Sequence, residues 1–292
     1  MSGAAQTPEP SAGQAPAQLF GGKVAVITGA SAGIGEGFAR HAASLGMRLV
    51  LADIAEERLA RLADELRGGG AEVEAVFTDV AEAASVEALA ERAYARFGTV
   101  DLLLNNAGIM AMGYSWEITA EQWDRALRIN VGGYVNGIRA FVPRLLAQGG
   151  RAWVVNVSSV GGFLPSPLMA PYSVTKFGTL ALSESLAYEL QLKRSQIQVS
   201  VVLPDSVRSE IFKTAAAPDS QTPPEVAGLN AQLQARADTE GISAEEHARR
   251  CFEQIAAGRY WVFPQPDMID GALRGRTDMI LGRRDPTLGP QH

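Results

Sequence analysis

The chain has 292 residues, 47% of them hydrophobic and 20% charged, enough for one large or two ordinary domains whose cores need no disulfide staples. Twenty-six Lys and Arg against 32 Asp and Glu leave a net charge of −6, and no basic run suggests nucleic-acid binding. A single cysteine, Cys251, and three scattered histidines argue against a disulfide scaffold or a zinc-type cluster, and for a reducing compartment.

Residues 1–18 are Ala-, Pro-, Gln- and Ser-rich with one acid and no Lys or Arg. They predict a disordered tail, extended to residues 1–20, and lack the basic start and apolar core of a secretory signal. No apolar run reaches the roughly 18 residues of a membrane span. A soluble, cytoplasmic protein without nucleic-acid or membrane partners is expected.

The β-branched run 23–28 predicts a first strand. It stops at Thr28-Gly29-Ala30-Ser31-Ala32-Gly33-Ile34-Gly35, and a helix follows. Glycine lets backbone approach a ligand closely, and a helix N-terminus offers unpaired N–H groups to a pyrophosphate. The spacing differs from the commonest dinucleotide fingerprint, and such a turn also serves as a plain strand-to-helix connection. Residues 48–52 predict a second strand that ends at Asp53, 18 residues past Gly35. An acid there can hold the ribose hydroxyls of NAD or cap the next helix. It would also repel a 2′-phosphate, and no Lys or Arg occupies 30–32 or 54–57, so NAD is expected over NADP.

Leu59, Leu62 and Leu66 share one helical face, and glycines at 68–70 end that helix. Residues 72–78 predict a third strand; Val86, Leu89, Ala90, Ala93 and Phe97 mark a helix; residues 100–105 predict a fourth strand. Thr119 to Gln122 has capping-box form and starts a helix that carries Asn130. Strands are expected at 153–158, 199–203 and 260–263, and helices at 170–192, 244–257 and 268–281. Alternation of strand and helix predicts an α/β fold: a doubly wound, Rossmann-like parallel sheet of about seven strands with helices on both faces. Residues 211–241, rich in Ala, Pro and Gln, break the rhythm and read as a substrate lid or a solvated excursion. One domain is expected over 21–265, with a C-terminal extension at 266–292.

Tyr172 and Lys176 are four residues apart and so share a helix face. An ammonium beside a phenol, together with the positive charge of NAD⁺, favours the phenolate and is expected to lower the Tyr172 pKa. Tyr172 could then exchange a proton with an alcohol oxygen as hydride moves. Taken singly, such a pair is also an ordinary surface contact, Ser158-Ser159 an ordinary turn, and Asn130 a residue that satisfies backbone groups at a bend.

Taken together and in order, these segments resemble the short-chain dehydrogenase/reductase family from Lys23 to Ser209. The motifs are the glycine turn, Asp79-Val80, Asn105-Asn106-Ala107-Gly108, Asn130, Ser158-Ser159 and Tyr172-Ser173-Val174-Thr175-Lys176. The resemblance implies a catalytic set of Asn130, Ser159, Tyr172 and Lys176. Ser159, 13 residues before Tyr172, would bond the substrate oxygen, with Ser158 as fallback. Lys176 would also grip the nicotinamide ribose, and Asn130 would hold a water linking Lys176 to solvent. Gly29, Ser31, Ala32, Gly33, Ile34, Gly35, Asp53, Asp79, Val80, Asn106, Ala107 and Gly108 would contact the cofactor, along with Tyr172, Lys176, Pro204, Asp205, Val207 and Ser209. A homodimer or homotetramer joined through the helices after strands four and five is also implied.

The chain departs from the family after strand six, where Pro204-Asp205 replaces the usual Pro-Gly and Ser209 replaces a Thr. Asp tolerates left-handed backbone, so the swap can be neutral; alternatively, Asp205 selects substrates by bonding a polar group. Met110, Met112, Tyr114, Phe163, Leu164, Met169, Ile211 and Phe212 flank the motifs. They suggest a medium-sized hydrophobic or aromatic alcohol or ketone, oxidised or reduced without metal. An NADP-dependent carbonyl reductase or a non-catalytic dinucleotide sensor are the alternatives.

Overall fold

The computed structural model describes residues 15–209, 211, 222–266 and 269–287. Strand β1 (Val24–Thr28) is buried along its whole length and feeds two cores. Ala25 and Ile27 point into one core with Phe38 and Phe252, whereas Val24 and Val26 point into the other with Leu89 and Phe141. A strand that is apolar on both sides needs cover on both, which is why helices flank the sheet.

The sheet is completed by β2 (Arg48–Asp53), β3 (Val73–Phe77), β4 (Leu102–Asn105), β5 (Ala152–Val157), β6 (Ile197–Val202) and β7 (Trp261–Val262). All seven strands are parallel, in the order β3-β2-β1-β4-β5-β6-β7. Chain direction across the sheet reverses between β1 and β4, so a crevice opens at the strands' carboxyl ends. Helices α1 (Pro16–Phe20), α2 (Gly33–Ser44) and α3 (Glu56–Gly68) contribute to the first core. Helices α4 (Ala83–Phe97), α5 (Ala120–Leu127), α6 (Gly133–Gln148) and α7 (Ala170–Leu192) follow, and α4, α6 and α7 supply the helical side of the second core. Helix α8 (Pro224–Thr239) leads to α9 (Ala244–Ala256), which returns to the first core, and α10 (Asp270–Leu281) is the last described helix.

Three segments differ from the sequence expectation. The tail expected over 1–20 ends in a helix: Pro16 starts α1 with its fixed φ, and Leu19 and Phe20 are buried. Phe20 packs on Trp153 and Phe252, each at 5.1 Å between ring centroids. The helix starting at Thr119 does so with its capping box, Gln122 N donating to Thr119 Oγ1 at 3.3 Å and Thr119 N to Gln122 Oε1 at 3.0 Å. It does not run on regularly, however, because Arg128–Gly132 forms a π-turn before α6. Within the segment expected as a lid, residues 224–239 form a helix that the sequence expectation did not place.

The buried aromatic cluster makes the short first helix part of the fold. Phe20→Ala is expected to lower unfolding free energy by about 3–5 kcal/mol, measured as the shift of the urea midpoint at unchanged slope.

Candidate active site

Each motif expected to bind or react follows the carboxyl end of a strand or the start of the next helix. Apart from Gly35 and Asn130, every residue named above for catalysis or cofactor binding lines a single cavity of about 1140 Å³. Gly29 has φ +63°, and a Cβ there would stand 2.8 Å from Ala107 Cα; a Cβ on Gly35 would overlap Gly29 O. Gly35 therefore lies behind the turn and lets α2 start close against β1. Asn106 fixes the same turn from β4, its Nδ2 donating to Thr28 O at 3.0 Å and Gly29 O at 3.1 Å. No side chain caps α2, and its first turn faces the cavity through Gly33 and Ile34. This glycine cradle suits a dinucleotide pyrophosphate.

Both carboxylate oxygens of Asp53 are engaged by backbone. Oδ2 accepts from Ser31 N and Oδ1 from Ala55 N, each at 3.0 Å. Asp53 thus turns the chain into α3 and braces the glycine turn while lining the cavity. Asp79 is similar: it lines the cavity and accepts from Ala81 N at 2.9 Å.

At the other end, the first turns of α7 bring Tyr172 and Lys176 against β5. Lys176 is 4% exposed, its Nζ donating to Val157 O at 2.9 Å and lying 5.6 Å from the Tyr172 ring centroid. Burial pulls the ammonium pKa down to about 8. Burial also pushes the Tyr172 phenol above its ordinary value, and the Ser159 hydroxyl opposes that rise. The lowered tyrosine pKa expected from the sequence is therefore not produced by the chain's own groups: desolvation of the phenolate outweighs the hydrogen bond with Ser159.

The two serines have separate jobs. Ser158 Oγ donates to Lys176 O at 2.9 Å and is tied to α7. Ser159 Oγ accepts from Gly161 N at 3.1 Å. A Cβ on Gly161 would stand 3.2 Å from Tyr172 Cε1 and 3.5 Å from Ser159 Oγ, so glycine leaves phenol and hydroxyl one shared corner. Asn130, fully buried on the π-turn, sits behind the cavity wall. Its Oδ1 accepts from Ile109 N at 2.8 Å, while Nδ2 donates to Ile109 O at 2.8 Å and Thr175 Oγ1 at 3.0 Å. It satisfies backbone groups at a bend and clamps the turn after β4 to α7.

Of the apolar residues singled out, Met110, Leu164, Met169 and Ile211 line the cavity, and Phe212 lies outside the described residues. Met112 packs behind Met110 and Met169, Tyr114 stacks on Trp116, and Phe163 packs near Leu180 and Trp261. Sequence reasoning missed Leu233, Arg236, Ile269 and Ala272, which also line the cavity. Arg236 reaches Asp205 from α8, Nη2 to Oδ2 at 2.8 Å. Burial raises the Asp205 pKa, and Arg236 opposes the rise. No motif marks these four; only the helical run of α8 brings Leu233 and Arg236 to the crevice. Among the described residues, no cluster of metal-ligating side chains is present and no helix is long and apolar enough to cross a membrane.

Residues 23–220 match the family described as short chain dehydrogenase. A CLA biosynthesis dehydrogenase/reductase of Lactiplantibacillus plantarum is 36% identical over 67% of this chain and 68% of its own. A 1-deoxy-11-beta-hydroxypentalenate dehydrogenase of Streptomyces exfoliatus is 33% identical over 84% of each. The crystal structure of a short chain dehydrogenase/reductase from Burkholderia phymatum in complex with NAD superposes with a TM-score of 0.89. It is 38% identical and covers 94% of this chain and 99% of its own.

A lysine held at about 8 in the folded chain and at its ordinary 10.5 when unfolded makes stability pH-dependent. Between those values the unfolded state binds more protons, so stability rises with pH. Relative to Lys176→Met, the native protein is expected to gain on the order of 3 kcal/mol from below pH 8 to above pH 10.5. Urea unfolding of both proteins across that range checks it, and parallel curves would refute it.

Proposed function

The chain belongs to the short-chain dehydrogenase/reductase family and is an NAD(P)-dependent oxidoreductase; from that premise we propose that it interconverts a secondary alcohol and a ketone with NAD. The observation that carries the reading is the corner where Tyr172, Ser159 and Lys176 meet, in the same cavity as the glycine cradle and Asp53. A nicotinamide bound there would supply the hydride acceptor and a positive charge beside the phenol.

In this reading Ser159 holds the substrate oxygen by its hydroxyl, and Tyr172 takes the alcohol proton or returns it in reduction. Lys176 keeps a donor near the phenol and reaches toward the ribose. Asn130 positions the turn after β4, and the remaining lone pair of its Oδ1 suits a water linking Lys176 to solvent. Glycine cradle, Asp53, Asp79 and Val80 hold the dinucleotide, and Pro204, Asp205, Val207 and Ser209 frame its nicotinamide end. The Asp53 carboxylate supports NAD over NADP, as does the NAD complex of the Burkholderia phymatum relative.

Met110, Leu164, Met169, Leu233 and Ile269 line the substrate end and favour a medium-sized hydrophobic or aromatic compound. The dehydrogenase names of the relatives support the reaction class. Val174, Tyr188 and Leu192 are exposed on α7, which supports association of copies through that helix. A cytoplasmic homodimer or homotetramer completes the reading.

Tyr172→Phe is expected to reduce turnover of secondary alcohols by about 100- to 10,000-fold while NADH affinity stays nearly unchanged; retained turnover would overturn the mechanism. Fluorescence titration is expected to show NADH binding at least about tenfold tighter than NADPH, the worth of one repelled phosphate at a carboxylate. Tighter NADPH binding would reverse the cofactor assignment.

A further inference from the structure

Asp205 stands where the family usually has glycine, and α8 answers it with Arg236. Arg236 Nη2 donates to Asp205 Oδ2 at 2.8 Å, and its Nε donates to Glu240 Oε2 at 3.3 Å. Among the described residues, Asp205 Oδ1 and Arg236 Nη1 have no hydrogen-bond partner. Both side chains line the cavity, beside the apolar Leu233, Met169 and Ile269. The Asp205 side chain is 9% exposed, and its second oxygen is not among the buried polar atoms left without a partner, so it stays open to the cavity it lines. A carboxylate oxygen open to a cavity can accept a hydrogen bond from a ligand bound there.

Charge decides what would complete the pair. One guanidinium between the carboxylates of Asp205 and Glu240 leaves a net negative site. A substrate carboxylate would be repelled there, and an ammonium would compete with Arg236 for the same oxygen. A neutral hydroxyl fits both open positions, its O–H donating to Asp205 Oδ1 and its oxygen accepting from Arg236 Nη1.

We infer that Asp205 and Arg236 form a specificity site for a second, neutral hydroxyl, so that the preferred substrates are diols or hydroxy ketones on an otherwise apolar frame. This rests on the alcohol–ketone reading above, because that reading puts a substrate in this cavity. It makes α8 part of the recognition surface and gives the Asp205 substitution a use.

The test compares cyclohexanol, the isomeric cyclohexanediols and hydroxycyclohexanecarboxylic acid as probes, with NAD⁺ and the full chain. The best diol is expected to exceed cyclohexanol in kcat/KM by about tenfold or more, the value of a hydrogen bond to a charged group. The carboxylic acid should show no such gain. In the double variant Asp205→Gly, Arg236→Met the ratio should fall to about one. Removing both members leaves no buried charge unpaired, which favours a folded protein. Arg236→Lys, which keeps the positive charge but loses the forked donor, should also lower the ratio.

An unchanged ratio in both variants would make the pair a strut between β6 and α8 and overturn the inference. A preference for the carboxylic acid would overturn it too. So would an unchanged ratio accompanied by a large loss of NADH affinity, which would assign the pair to the cofactor. If no probe is turned over by the native protein, the alcohol–ketone reading fails instead. The ratio of diol to cyclohexanol affinity for the NADH complex, read by NADH fluorescence, then decides the pair by the same criterion.

Discussion

An ammonium group shut away from water has to be answered by the protein's own oxygens and π-electrons. Lys176 is answered by the last carbonyl of β5 and by the rings of Tyr134 and Tyr172, at 5.8 and 5.6 Å from its Nζ. Much of the site follows from meeting that demand. Tyr134 also donates to Val157 O, at 2.8 Å, so one carbonyl gathers α6, α7 and the sheet. Ser158 then bonds the carbonyl of Lys176 itself, closing the joint from the other side. With α7 seated this way, Tyr172 stands one turn before the lysine, at the crevice.

Behind the charged corner lies a frame of neutral polar groups. Asn105 Nδ2 donates to Asn156 Oδ1 at 2.9 Å, Asn156 Nδ2 to Ser183 Oγ at 2.9 Å, and Ser183 Oγ to Thr179 O at 2.7 Å. This chain crosses from β4 through β5 into α7 without reaching solvent. Each bond adds only about 1 kcal/mol, but an orphaned member would cost about 1–3, so the three elements keep one relative placement. Asn130 does the same for the turn after β4. The frame is specific because its alternatives are expensive, and the reactive groups inherit that specificity.

Hydrophobic pattern made the seven strands and the order of most helices legible, because parallel strands buried on both faces read as continuous apolar runs. The glycine turn and Tyr172-to-Lys176 spacing were legible because their chemistry is local. Three things were not. Phe20 looks like part of a polar tail until Trp153 and Phe252 surround it, and those partners lie far along the chain. The π-turn carries Asn130, whose contacts to Ile109 and Thr175 lie outside any local window of sequence. Arg236 lies 31 residues from Asp205, in a segment whose prolines hide its helix. In the chain alone the Tyr172 pKa moves the other way for another reason: proximity of a charge is visible in spacing, whereas the cost of burial is not.

The π-turn has a consequence for how this chain can change length. One residue more than an α-helix would use is accommodated between the capping box and α6. Deleting a residue there would restore regular helical bonding and turn everything on one side of the cut by about 100°. Asn130 would swing away from Ile109, or Tyr134 from the end of β5. Exposed side chains around this bend can be exchanged one at a time, but its residue count is locked to the geometry on both sides. Within 120–133, insertions and deletions should therefore be far rarer in functional descendants of this chain than substitutions.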